Sequence, residues 1–411
     1  MEIEPKQEAH LPPETTDWGR VWLIFGAGVV AAFQVGKAPP VLPLLRIELG
    51  LTLFLAGWVL SAFNVVGAFI SSGAGAISDW LGHRRLILLG LACLACGSFG
   101  GAFSQTANVL LATRFLEGLG YILTIVAAPA LILRVTSPQN VRLAFGVWGS
   151  FMPAGSAFMM VAAPFLVQIS GWRGLWLING GLLLAFTIWL ALRTGDLGGP
   201  KRKGPYPSGR LIHDIWLTMK TPGPCLLALC FGAYAFQWLV VIGFLPTLLV
   251  EEHAMSQTAA AALAAAVVAV NVPGNLLGGW LLQRGIRRWG LLALASTVMG
   301  LCCFGIYHSS LPLSLRYISC LVFSGIGGML PAAALHGAAV LAPTKDLVAT
   351  SNGLLMQGAQ IGLLTGPPLV AAAVSRAGTW HIAPWILVIP AVIGVCLSFA
   401  LKRVEQGKRE A

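Results

Sequence analysis

The chain has 411 residues, 57% of them hydrophobic and only 10% charged, with a formal net charge of +11. An average soluble domain carries roughly 25% charged residues, so a soluble globular fold is excluded. The surplus cations lie between long apolar runs, where they set membrane topology, and a nucleic-acid surface is excluded with them.

Residues 1–19 read as a polar tail. Met1 to Asp17 is acidic and has neither the basic region nor the small-residue cleavage site of a signal peptide, so the first span is expected to stay in place. Six segments of about 20 residues, the length that crosses a bilayer, follow within residues 20–193. They run from Arg20 to Leu45, Leu53 to Ser78, Leu86 to Ser104, Val109 to Leu133, Leu143 to Gln168 and Leu175 to Leu192.

Lys37 lies in the outer half of the first span, and Arg114 of the fourth span lies at a similar depth, roughly 10 Å below the outer end in each case. An arginine inside a bilayer costs a few kcal/mol and needs a partner or a water-lined cavity. Glu117 stands three residues on, on the same helical face. Two readings follow. Arg114 and Glu117 pair and hold helices together, or Glu117 carries a proton and responds to solute. Lys37 either snorkels to the outer surface or joins Arg114 at a chamber whose net positive charge favours an anion. Cys93-Leu-Ala-Cys96 has the spacing of a redox or metal motif but no further ligand nearby. All eight cysteines fall in apolar spans, so neither a disulfide framework nor a metal or other cofactor is expected.

Residues 194–224, rich in Gly, Pro, Lys and Arg, form a linker. Six more spans occupy residues 225–401: Cys225 to Val250, Ala259 to Leu282, Leu291 to Tyr307, Leu313 to Leu341, Leu347 to Val374 and Ile382 to Leu401. Residues 402–411 form the second tail. Asn64, Gln237, Asn271, Asn275, His336, Asn352, Gln357 and Gln360 are polar residues within spans, suited to interhelical hydrogen bonds. Of these, Gln237, Asn271 and Gln357, with Tyr234, are candidates to face the solute, and His336 is a second candidate proton carrier. Trp148 and Trp238 are further candidate lining residues. Pro153, Pro164, Pro273, Pro331, Pro367 and Pro368 favour kinks. Gly358, Gly362 and Gly366, at helical spacing, suit close backbone packing.

With an even number of spans both ends share one side. That side holds 20 of the 26 Lys and Arg residues, so both termini are expected in the cytoplasm and the chain in a bacterial cytoplasmic membrane. The fold expected is an all-α membrane protein of twelve helices in two pseudo-symmetric six-helix bundles.

The loop Gly75-Ala-Ile-Ser-Asp79-Trp-Leu-Gly82-His-Arg84-Arg85 returns 203 residues later as Gly278-Gly-Trp-Leu-Leu282-Gln-Arg-Gly285-Ile-Arg287-Arg288, the mark of a duplicated chain. The first copy resembles the signature loop of the major facilitator superfamily, and Arg114-Phe-Leu-Glu117-Gly118-Leu-Gly120 resembles that family's fourth-span motif. The resemblance implies alternating access, with Gly75, Asp79, Gly82, Arg84 and Arg85 bracing the helix ends. Leu282 replaces the aspartate in the second copy, so a charge brace there is expected to be weak or absent. Gly149-Ser-Phe-Met-Pro153-Ala-Gly155 keeps the end glycines of the antiporter signature but has Met152 before the proline, which weakens antiport. Gly146-Val-Trp148 and Phe244-Leu-Pro246 resemble the cyanate and nitroimidazole porters. Gly171-Trp172-Arg173-Gly174 and Lys37 are similar to monocarboxylate porters, which expect an acid and an arginine where Asn271 and Asn275 stand.

No ATP-binding loop occurs, and no nucleophile beside a histidine or paired acids suggests an enzyme. The expected function is secondary transport of a small anion by a monomer, with a proton as the candidate coupling ion. Proton-coupled efflux of drugs or other hydrophobic compounds is the alternative.

Overall fold

The computed structural model describes residues 14–73, 82–140, 144, 147–197, 208–344 and 347–410. Among these, eleven helices are long and apolar enough to cross a membrane, and one of them, Val147–Arg193, is 47 residues long. Gly171 interrupts it with φ 67° and ψ 177°, a conformation open to glycine because it lacks a Cβ. The segment is therefore two crossings joined by a one-residue turn, and the described residues make twelve crossings.

We name the crossings α1 (Trp18–Glu48), α2 (Leu53–Ile70), α3 (His83–Ala102), α4 (Ala107–Val135), α5 (147–170), α6 (172–193), α7 (Pro222–His253), α8 (Gln257–Gln283), α9 (Arg288–Tyr307), α10 (Leu313–Ala338), α11 (Thr350–Ala377) and α12 (Trp380–Gly407). Large apolar side chains such as Ile169, Leu301, Phe158 and Trp385 are more than half exposed. Surfaces of that kind are stable only against lipid.

Helices α1–α6 form one bundle and α7–α12 the other. The start of each odd helix and the end of each even one share a face that also carries both ends of the chain, here the terminal face. There the Asp17 amide donates to the Val135 carbonyl at 2.9 Å, tying α1 to α4. The opposite, distal face carries the α1–α2, α5–α6 and α7–α8 turns. Within the second bundle, Gly358, Gly362 and Gly366 of α11 bring it against the Ala228, Gly232 and Phe236 backbone of α7, as their spacing predicts.

Two helices depart from regularity where the charges lie. Helix α1 ends at Gly36 and resumes at Ala38. Pro39 and Pro40 have no N–H to return to the carbonyls four residues back, which accounts for the break at Lys37. Helix α2 tightens into a 3₁₀ turn over Ala62–Asn64.

Between the bundles, α2 packs on α11 from end to end. Gly57 meets Pro367 and Pro368 near the distal face, and Gly353 meets Ser71 and Ser72 near the terminal face. Ser61 donates to the Leu363 carbonyl at 3.0 Å. At the distal face Arg46 of α1 pairs with Glu251 of α7, and Gln168 of α5 donates to Thr258 of α8 at 3.3 Å.

Candidate functional site

The break in α1 delivers Lys37 to the middle of the first bundle, where it is wholly buried. Its Nζ donates to Glu117 Oε1 at 2.6 Å and to Ser98 Oγ at 2.9 Å, and it stands 4.3 Å from the centre of the Trp176 ring. Ser98 in turn donates to the Trp176 carbonyl at 2.8 Å. Helices α1, α3, α4 and α6 therefore meet at one ammonium group.

Arg114 reaches the same carboxylate from the other side. Its NH1 donates to Glu117 Oε2 at 2.6 Å and to the Gln34 carbonyl at 2.9 Å, and its Nε donates to the Val59 carbonyl at 3.1 Å. Both acceptors border the irregular turns, Gln34 just before the break in α1 and Val59 just before the 3₁₀ turn of α2. Gly118, four residues after Arg114, lies against the Phe63 backbone and leaves no room for a Cβ, so α4 can approach α2 closely enough for these bonds. The guanidinium also lies 4.8 Å from the centre of the Phe63 ring.

Glu117 thus holds two cations with its two oxygens, and the trio has a formal charge of +1. All three side chains are excluded from solvent. Charges so deeply buried persist only when paired and hydrogen-bonded. Lys37 does not snorkel. The structure brings Lys37, Arg114 and Glu117 together inside the first bundle rather than on a chamber between the two bundles. The pairing of Arg114 with Glu117 is present, with Lys37 as a third member.

Polar residues beside the trio extend it. Gln34, one turn before Lys37, donates to Asn179 Oδ1 at 3.4 Å, while its own Oε1 is buried without a hydrogen-bond partner, as is Trp176 Nε1. Sequence reasoning passed over Gln34, Ser98, Trp176 and Asn179. Gln34 carried a signal, a polar side chain on the Lys37 face of an apolar span. Ser98 carried none, because a serine is ordinary in a membrane helix. Phe63, Tyr121, Phe151 and Trp148 form a connected aromatic group alongside, with ring centres 5.0, 6.5 and 4.4 Å apart along the series.

The remaining candidates lie elsewhere. Asn271 donates to the Tyr234 hydroxyl at 3.1 Å and to the Ser324 carbonyl at 3.0 Å, joining α7, α8 and α10 inside the second bundle. Asn275 donates to Asn271 Oδ1 at 2.8 Å. Gln237 donates to Ala233 in its own helix, and its Oε1 is buried without a partner. Gln357 crosses between bundles to the Ala68 carbonyl at 2.9 Å, and Gln360 lies against Gly67. His336 sits at the terminal end of α10 with Nδ1 3.1 Å from Arg288 NH2, a whole helix segment away from the depth of Glu117.

Gly75 and Asp79 of the loop motif lie outside the described residues. Gly82 has φ 85° and its counterpart Gly285 has φ 84°, so both copies make the turn that only glycine adopts without strain. Arg84 donates to the Ala191 carbonyl at 2.8 Å and to Thr194 Oγ1 at 3.2 Å, tying α3 to α6, and Arg85 is exposed. In the second copy Leu282 supplies no charge, and an arginine of the loop finds an acid elsewhere. Arg288 pairs with Glu405 at 2.5 Å, so α9 is tied to α12 by a carboxylate that comes from α12 instead of position 282. Arg316, also unforeseen, ties three helix ends at the distal face through Glu252 at 2.8 Å, His253 at 3.0 Å and the Ile306 carbonyl at 2.8 Å.

Two six-helix bundles related by a repeated loop, one holding a buried charge cluster, define a multi-pass membrane protein. The sequence pattern of the Major Facilitator Superfamily matches residues 24–356 and residues 227–411. The chain belongs to that superfamily.

Relatives carry several different names. The methyl viologen resistance protein SmvA of Salmonella typhimurium is 30% identical over 170 residues, covering 40% of this chain and 34% of that protein. The multidrug efflux pump LfrA of Mycolicibacterium smegmatis is 28% identical over 178 residues, 43% of this chain and 33% of its own. This chain therefore spans about a third of the length of those efflux relatives. The proposed niacin/nicotinamide transporter NiaP of Bacillus subtilis is 23% identical over 388 residues, 92% of this chain and 94% of that one. A bacterial homologue of the human lysosomal transporter Spinster shares the fold, with a TM-score of 0.77, 15% identity, and coverage of 93% of this chain and 96% of that one.

Proposed function

We propose that this chain moves a small organic anion across a bacterial cytoplasmic membrane, both termini cytoplasmic, by alternating access coupled to a proton at Glu117. The observation that carries the reading is the sharing of one buried carboxylate by Lys37 and Arg114. A protonated Glu117 has one neutral carbonyl oxygen and one hydroxyl in place of two anionic oxygens, so its hold on the two cations weakens. An anion entering beside them can then take the place of the lost charge. When the anion leaves, Glu117 ionises and closes on the cations again. Proton and anion would travel together, with the cluster returning to the same charge at each end of the cycle.

A relative matching over nearly the whole chain is named for niacin and nicotinamide, and the first of these, a small aromatic carboxylate, fits this chemistry. The aromatic group of Phe63, Tyr121, Phe151 and Trp148 beside Arg114 suits a planar ring. A second reading, efflux of a hydrophobic or cationic compound, draws on the resistance proteins, which match about two-fifths of the chain.

The test is uptake into proteoliposomes under an imposed pH gradient, with nicotinate, other small carboxylates and methyl viologen as solutes and a trapped pH dye. We expect carboxylate uptake with lumenal acidification in the natural protein. Lys37→Ala and Arg114→Ala should abolish uptake in protein that still elutes as a folded species, and Glu117→Gln should remove its pH dependence. Natural rates of carboxylate uptake in both cation variants would overturn the anion site, and movement of methyl viologen alone would select the second reading.

A further inference from the structure

The transport reading leaves one helix unused, Ser208–Lys220, in the segment that joins the bundles. It packs on α7 and α11 by a face that carries Thr218, which is buried, and Asp214 and Ile215, which are half-buried. Ile212, Trp216 and Met219 are spaced i, i+4 and i+7 and so form one stripe. They are 68%, 56% and 51% exposed. Lys220 lies at the edge of that stripe, its ammonium 4.8 Å from the centre of the Trp216 ring. The helix leads through Thr221 directly into Pro222, the first residue of α7, so the stripe stands at the level where α7 enters the bilayer.

The charges of the segment point the same way. Between residues 200 and 220 the sequence has Lys201, Arg202, Lys203, Arg210 and Lys220 against the single acid Asp214, and Asp214 sits toward the packed face. An apolar stripe containing tryptophan, bordered by lysine and continuous with a membrane-spanning helix, matches the side-chain pattern of helices that lie in the bilayer interface. A second copy of the chain would bring the same excess of positive charge against itself, which like-charge repulsion opposes. We infer that this helix lies in the headgroup region of the terminal-face leaflet, with Ile212, Trp216 and Met219 in the acyl boundary and Lys220 on anionic phospholipid headgroups. In that position it would tie the α7 and α11 ends to the membrane surface whatever solute the protein carries.

The test uses the full chain without its native cysteines, reconstituted in nanodiscs of phosphatidylcholine alone or mixed with phosphatidylglycerol. A nitroxide is attached after Ile212→Cys, Trp216→Cys or His213→Cys, and its relaxation by oxygen and by a water-soluble nickel chelate is compared. Labels at 212 and 216 should relax several-fold more with oxygen than with the chelate, and the label at 213 should show the reverse. Phosphatidylglycerol should deepen the 212 label, and Lys220→Gln should reduce that response. The Ile212 variant keeps Trp216, so it reports even where loss of the tryptophan releases the helix. Chelate-accessible labels at 212 and 216 in both lipid mixtures would overturn the inference. So would dipolar coupling between 216 labels of two copies, or equal depth with and without phosphatidylglycerol.

Discussion

Glu117 bonds Lys37 through one oxygen and Arg114 through the other, at 2.6 Å each, which makes it the least replaceable side chain of the cluster. Removing one member of a buried ion cluster leaves an uncompensated charge and costs about 3–5 kcal/mol. Glu117→Gln is therefore expected to lower the thermal unfolding midpoint in detergent well below that of Ser98→Ala, which removes one neutral acceptor and about 1 kcal/mol. Glu117→Asp keeps the charge but is a methylene shorter and should reach only one of the two cations, giving an intermediate midpoint. Equal midpoints for Glu117→Gln and Ser98→Ala would show that the carboxylate does not carry the cluster.

At the scale of elements, the two breaks that shape the site are differently written in the sequence. Pro39 and Pro40 announce the interruption of α1, and an isolated lysine beside them in an apolar run marks where charge goes inward. The 3₁₀ turn of α2 has no comparable signature, because Ala62, Phe63 and Asn64 are compatible with a regular helix. It follows from what docks there, the close approach allowed by Gly118 and the guanidinium of Arg114 at the Val59 carbonyl. The same limit hid Arg46–Glu251, since partners 205 residues apart cannot be paired from one chain. That pair joins α1 to α7 across the distal face. Arg46→Ala and Glu251→Ala should each raise the rate at which a membrane-impermeant thiol reagent modifies Thr258→Cys. The exchange Arg46→Glu with Glu251→Arg should restore slow labelling. Unchanged labelling in the single variants would remove the latch.

For the whole molecule, the 203-residue repeat made the two-bundle fold legible, and twelve apolar segments supplied its helix count. The positive φ of Gly82 and Gly285 shows that the loop geometry repeats as well as the letters. What the repeat could not show is that different arginines of the two copies make the contacts, Arg84 in the first and Arg288, the counterpart of Arg85, in the second. Arg84 holds a carbonyl and a hydroxyl of α6, whereas Arg288 holds a carboxylate of α12. Glu405 keeps about a fifth of its side chain exposed, so salt screens the Arg288–Glu405 pair in part, while it acts little on bonds to an uncharged carbonyl and hydroxyl. High ionic strength should therefore narrow the stability gap between the natural protein and Glu405→Gln while leaving that for Arg84→Ala nearly unchanged, as read by thermal unfolding at low and high salt.

The surplus positive charge of the Lys37–Glu117–Arg114 trio has a kinetic consequence. Under the proposed cycle a proton on Glu117 and a bound monoanion together add no net charge, so the loaded core crosses the electric field with the same charge as the vacant one. The two strokes therefore move equal charge in opposite directions, and net uptake is electroneutral. Clamping the membrane voltage with potassium and valinomycin should then leave uptake driven by an imposed pH gradient unchanged, and a rate that follows the voltage would break the one-to-one pairing of proton and anion.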